Sequence, residues 1–254
     1  MSSNPTPWLA GRKPAPDAAL RLFCFSSAGG AASMYQPWEG RLPARVELCR
    51  VQLPGREARF AETPLETFAQ LLPQVQEALT PYLDLPFAFF GHSMGALVAF
   101  ELARRLRAGG EATALALFPS GHRAPHLPMR RRRWAELPKD ELVGELKDID
   151  GIPEELLDNE ELLEVVLPTV RADLRAYEAY QHVASDPLDC PVTVYSGDRD
   201  QLVNEAERSG WDSHTTGPCT VHVLPGKHFF INDERDRLLE LLRTDLTALL
   251  ADLG

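Results

Sequence analysis

The 254-residue chain is 44% hydrophobic, carries a net charge of −11 and contains four cysteines. This length and apolar content fill one core without a second domain, and the acidic balance excludes nucleic acid as a general partner, because phosphate binding needs clustered Lys and Arg. Cys24, Cys49, Cys190 and Cys219 are far apart without C-x-x-C spacing, and no basic-apolar leader or run of ~18 apolar residues occurs, so a cytoplasmic, membrane-free protein with buried thiols is expected.

In chain order, LRLFCF (20–25) precedes SSAGG, and VELCRVQL (46–53) precedes PGRE. ETFAQLLPQVQEAL (66–79) then has helical spacing. FAFF (87–90) runs into GHSMG, and ALVAFELARRLRAGG (96–110) reads as a helix with a Gly109-Gly110 stop. ALALF (114–118) precedes PSG, VTVY (192–195) precedes SGDRD, TVHVL (220–224) precedes PGKH, and ERDRLLELLRTDLTALLADL (234–253) closes as a helix. Short apolar runs bounded by turn residues and alternating with helices predict an α/β domain over 1–254, its mostly parallel sheet covered on both faces. Residues 123–182 break the alternation. RRRRWAELPKDELVGELKDI, PEELLDNEELLEVVLPTV and RADLRAYEAYQHV have helical spacing punctuated by Pro138, Pro153 and Pro168, which predicts a helical insertion placed as a lid.

Gly91-His92-Ser93-Met94-Gly95 matches G-x-S-x-G in the strand–turn–helix context that the motif requires, which predicts an α/β-hydrolase fold with Ser93 as nucleophile. Serine needs a base, and in this fold an acid and then a histidine follow late strands. Asp200 after VTVY and His228 after TVHVL fill those places. SGDRDQLV also offers Asp198; the spacing of glycine, two residues, then acid selects Asp200, and Asp198 is read as a turn residue bonding its own backbone. Of the seven histidines, His228 alone has the position. His92 is read as packed and hydrogen-bonded at the bend, and His122, His126, His182, His214 and His222 as structural. An oxyanion hole needs two donors, for which the Met94 N–H and the Ala28 N–H in Ser26-Ser27-Ala28-Gly29-Gly30 are the candidates.

FSSAGGAASMY, VQLPGREAR, GHSMGALVAFELARRL, LPTVRADLRAYEAY, SGDRDQLV and LPGKHFFIN together resemble the type II thioesterases, the stand-alone editing enzymes of polyketide and non-ribosomal peptide synthesis. The resemblance spans almost the whole chain. One departure is Ser26-Ser27, where the Pro-His or Pro-aromatic pair is common. The resemblance implies a triad of Ser93, Asp200 and His228, oxyanion donors at Met94 and Ala28, and a mobile helical lid. It also implies hydrolysis of acyl thioesters on the phosphopantetheine arm of acyl or peptidyl carrier proteins, with no metal or other cofactor, by a monomer. Other readings of the same residues are a chain-releasing fatty acyl-carrier thioesterase, a carboxylesterase and a non-catalytic binding protein. Arg130-Arg131-Arg132-Arg133 is read as a solvated helix start or lid ion pairs, with docking of an acidic carrier protein as the alternative.

Overall fold

Apolar runs become strands wherever both sheet faces are covered, and all but the last of the strands are buried along their length or nearly so. The computed structural model describes residues 6–110 and 112–253. Its strands are β1 (Leu20–Phe25), β2 (Val46–Arg50), β3 (Phe87–His92), β4 (Leu117–Ser120), β5 (Val192–Gly197) and β6 (Cys219–Leu224). Its α-helices are α1 (Phe68–Leu79), α2 (Met94–Gly109), α3 (Lys139–Asp148), α4 (Glu154–Leu157), α5 (Glu160–Ala179), α6 (Glu205–Ser209), α7 (Phe230–Asp233) and α8 (Arg235–Asp252). The six strands pair in the order β2-β1-β3-β4-β5-β6, each pair parallel.

Side chains alternate along each strand between two cores, as the two-residue period demands. Phe23, Phe25, Phe87, Phe89, Val192 and Val194 share a core with α1 and α2. Leu20, Leu22, Cys24, Ala88, Phe90 and Tyr195 share the other with Leu238, Leu239, Leu242 and Leu246 of α8. Helix ends follow local chemistry. Thr67 caps α1 by accepting the Gln70 N–H at 3.2 Å, and Gly110 ends α2 at φ +67°, the left-handed conformation that suits glycine. β4 begins at Leu117 rather than at Ala114, and it runs on through Pro119 to Ser120.

From β1 the chain moves outward to β2 and then returns to the other side of β1 to lay down β3. At such a switch point the loops leaving the two adjacent strands diverge and open a crevice at their carboxyl ends. The Ser26–Gly30 loop and the Ser93 bend therefore face each other.

Between β4 and β5 the chain builds α3, α4 and α5 around an apolar cluster of their own, which includes Trp134, Leu142, Leu146, Leu163, Leu167 and Leu174. Ala28, Leu202 and Phe229 from the sheet's loops pack against that cluster. Two boundaries differ from the sequence reading. The arginine run is loop, and the first helix starts only at Lys139. The second segment splits into α4 and the start of α5, and α5 runs on into the third with Pro168 inside it. Proline removes one helical hydrogen bond, but Leu163, Leu167, Val170 and Leu174 recur on one buried face and hold the helix through the gap. The break comes at Asn159 instead, which caps α5 by accepting the Leu162 N–H at 3.1 Å.

Candidate active site

Ser93 sits between β3 and α2 at φ +54°, ψ −121°, a backbone that a side chain adopts only under constraint from its surroundings. The constraint is close packing by glycines. A Cβ on Gly91 would lie 2.1 Å from the Gly95 carbonyl oxygen, and one on Gly95 would lie 2.1 Å from that of Phe25. The Ser93 N–H donates to the Ser120 carbonyl at 2.8 Å, which ties the bend to β4.

His228 and Asp200 come from loops after β6 and β5, and the structure brings both to Ser93. His228 Nδ1 is 2.9 Å from Asp200 Oδ2, and His228 Nε2 is 2.9 Å from Ser93 Oγ. The carboxylate only accepts, so Nδ1 carries the proton and Nε2 is left as the acceptor for the serine hydroxyl. Both side chains are sequestered from water, at 2% and 0% exposure. Asp200 Oδ1 is occupied as well, accepting the Leu202 N–H at 2.8 Å.

Asp198 differs from the sequence reading. It does not bond its own loop backbone; its Oδ1 accepts the Gly226 N–H at 2.8 Å, and so it anchors the turn that presents His228. The local side-chain-to-backbone bond of this loop is made instead by Asp200, to the Leu202 N–H two residues on.

His92 is buried, with Nδ1 3.0 Å from Ser120 Oγ and its ring centroid 5.2 Å from that of His228. Burial holds its imidazole well below the usual range, with the nearby His228 and His122 adding to the effect, so the His92 ring adds no positive charge beside His228. Gly121, which the sequence reading passed over, is required here. It adopts φ +58°, and a Cβ on it would lie 2.8 Å from His92 Cε1 and 3.3 Å from His228 Cε1. His126, His182 and His214 gather elsewhere, with ring centroids of His214 at 4.9 Å and 5.2 Å from those of His126 and His182. Among the described residues they form no metal-ligand group.

Above Ser93 lies a cavity of about 260 Å³, with Ala28, Ser93 and His228 at its base and Trp134, Leu174 and Tyr177 of the insertion in its walls. Met94 and Ala28 both border it, and neither of their N–H groups has a hydrogen-bond partner among the described residues. The arginine run is largely paired. Arg130 binds Glu207 at 2.6 Å, Arg131 binds Glu178 at 2.9 Å, and Arg132 binds Glu141 and Glu145 at 2.9 Å and 2.8 Å. Glu178 also accepts the Trp134 N–H at 2.6 Å. Ion pairs thus occupy these three arginines, Arg131 and Arg132 within the insertion and Arg130 across to α6.

The chain matches the family model described as a thioesterase domain over residues 20–246. It is 38% identical over 234 residues to the gramicidin S biosynthesis protein GrsT of Aneurinibacillus migulanus, covering 92% of this chain and 91% of that one. It is 40% identical over 228 residues to thioesterase PikA5 of Streptomyces venezuelae, covering 89% and 81%. Among solved structures it is similar to the type II thioesterase BorB of the borrelidin biosynthetic cluster, with a TM-score of 0.85, 38% identity and 92% and 96% of the two chains covered. The architecture is the α/β-hydrolase fold, and the chain belongs to the thioesterase family, among the type II thioesterases of polyketide and non-ribosomal peptide biosynthesis.

Proposed function

We propose that this protein hydrolyses acyl thioesters held on the phosphopantetheine arm of acyl or peptidyl carrier proteins, clearing aberrant or stalled groups, and that it acts as a cytoplasmic monomer. The observation that carries this reading is the hydrogen-bonded series Ser93–His228–Asp200 at the base of a cavity walled by the insertion. Ser93 Oγ attacks the thioester carbonyl while His228 Nε2 takes its proton; Asp200 fixes the imidazole tautomer and stabilises the imidazolium. The developing oxyanion sits between the N–H groups of Met94 and Ala28, where the start of α2 adds its positive dipole end. The C–S bond then breaks, the His228 imidazolium gives its proton to the departing sulfur, and the thiol leaves. A thiol of pKa ~8.5 is a far better leaving group than an alcohol, so base catalysis of attack matters more than acid catalysis of departure. Water, activated by the same His228, attacks the acyl-serine and releases the free acid. Residues 123–182 act as a lid over this cavity, and their apolar lining receives the acyl group.

The test compares one acyl group presented as a carrier-protein thioester, as a small-thiol thioester and as an oxoester. Carrier-bound thioester turned over with the highest specificity constant supports the proposal. An oxoester hydrolysed as fast as either thioester overturns it in favour of a carboxylesterase.

A further inference from the structure

The loop bearing Ala28 is held in shape from outside itself. The Ser27 carbonyl accepts the Gly30 N–H at 2.9 Å, and Gly29 at the third position has φ +71°, which is the type II turn geometry that calls for glycine there. The turn has three N–H groups after Ser27. That of Gly30 is used within the turn, and that of Gly29 donates to Asp173 Oδ2 of α5 at 2.8 Å, which leaves the Ala28 N–H to face the cavity. On the other side, the Gly30 carbonyl accepts from Arg56 Nη1 at 3.0 Å.

Arg56 and Asp173 are joined to each other by two parallel bonds, Nη1 to Oδ2 at 2.6 Å and Nη2 to Oδ1 at 2.8 Å, and their side chains are 6% and 3% exposed. The same face of α5 seats both loops. Thr169 Oγ1 donates to the Gly55 carbonyl at 2.8 Å, and a Cβ on Gly29 would come within 2.5 Å of Val170 Cγ2. A buried ion pair is a poor source of stability, since its desolvation offsets most of the attraction. Its planar, two-pronged geometry does fix position. The sequence segments involved, PGRE and LPTVRAD, have no part in the proton relay.

We propose that Arg56 and Asp173 are positioning residues for thioester hydrolysis: they clamp the turn at the Gly29 N–H and the Gly30 carbonyl and so aim the Ala28 N–H at the space beside Ser93. The oxyanion loop is thereby shaped by a residue of the helical insertion, and its donor is aligned only while α5 is seated. This rests on the reading of the Ala28 N–H as an oxyanion donor.

The test uses the full chain and four variants, with kcat and KM on a small-thiol thioester. Infrared spectroscopy of a slowly deacylating acyl-enzyme adds the acyl carbonyl stretch, which falls as the oxyanion hole polarises the bond. Ala28→Pro deletes the donor, and proline suits the second position of a type II turn. Asp173→Asn and Arg56→Lys loosen the clamp, and the double variant Arg56→Met with Asp173→Leu removes both charges, so that none is stranded if a single variant fails to fold. The expected result is a kcat lowered about 10- to 100-fold with KM within about threefold, less than or equal to the ~10²–10³ typical of losing a whole donor, together with a carbonyl stretch raised towards that of Ala28→Pro. If Ala28→Pro lowers kcat while Asp173→Asn and the double variant keep the wild-type kcat and stretch, the clamp is refuted and the donor reading stands. If Ala28→Pro itself retains kcat and stretch, the donor reading fails and the clamp with it. Activity lost only in proportion to unfolded protein, with the wild-type stretch in what remains folded, shows a merely structural pair and also overturns the proposal.

Discussion

Asp200→Asn tests the relay at its most buried member. The Asp200 side chain is enclosed, and each of its oxygens accepts one N–H, from His228 Nδ1 at 2.9 Å and from Leu202 at 2.8 Å. Asparagine supplies one acceptor and one donor for these two places. If its oxygen stays on Leu202, its NH₂ faces His228, Nδ1 must become the acceptor, and the ring proton moves to Nε2, where it points at Ser93 and cannot receive the hydroxyl proton. If the amide is flipped, its NH₂ opposes the Leu202 N–H in a buried site and leaves two donors unsatisfied, at about 1–3 kcal/mol each. The first arrangement therefore prevails, and the base is lost. We expect turnover to fall about 10²- to 10⁴-fold, or about 3–5 kcal/mol at ~1.36 kcal/mol per tenfold. Asp198→Asn is the control. Its oxygen still accepts the Gly226 N–H, and its contact with Arg199, at 3.5 Å with both side chains more than half exposed, contributes only ~0–1 kcal/mol. Less than about a threefold loss is expected there. The assay is thiol release from an acyl N-acetylcysteamine thioester, with melting curves to verify folding. Equal losses in the two variants, or the larger at Asp198, would refute the assignment of Asp200 as the orienting acid.

Ser93→Ala should keep the fold and lose roughly 10⁴- to 10⁶-fold in turnover, while Ser93→Gly should also relieve the positive-φ strain and melt ~2–4 °C higher, from about 1 kcal/mol; a tenth or more of wild-type activity in either variant sinks the covalent route. His214 is pushed down to about 4, chiefly by burial and then by His126, His182 and Arg104, from an ordinary 6.5. The unfolded chain thus binds the proton more tightly, so stability is complete above pH 6.5 and declines as pH falls towards about 4. Urea midpoints should drop across that window, less steeply in His214→Gln, and midpoints that rise on acidification contradict this. Arg131→Glu places a second acid against Glu178, which is 3% exposed and also holds the Trp134 N–H. It should destabilise by about 3–5 kcal/mol and lower activity on carrier-bound and small-thiol substrates alike. A loss confined to the carrier-bound substrate would instead favour docking.

The strands, the bend at Ser93 and the chain order of serine, acid and histidine were legible because each depends on near neighbours in sequence. Apolar runs bounded by glycine or proline report burial on both faces, and G-x-S-x-G reports a turn where two side chains would collide with backbone. The misread pieces depend on distant partners. Pro168 looked like a helix end, but the buried face of α5 outweighs one missing hydrogen bond. Asp198 looked self-contained, but Gly226 sits opposite it. Gly121 gave no signal, because only the approach of His92 and His228 excludes a side chain there. The arginine run had four glutamates to pair with, among them Glu207, more than 70 residues onward.

The sequence by itself determined the fold, the family and the strand-end positions from which Ser93, Asp200 and His228 come together. The tertiary structure alone decided which aspartate oxygen meets His228, which of the three N–H groups after Ser27 is left free, and that Arg56 and Asp173, 117 residues apart, close on each other across that turn. Propensity and periodicity act over one turn of helix or one strand. Hydrogen-bond partners across the crevice are chosen by packing, which no short stretch of sequence encodes.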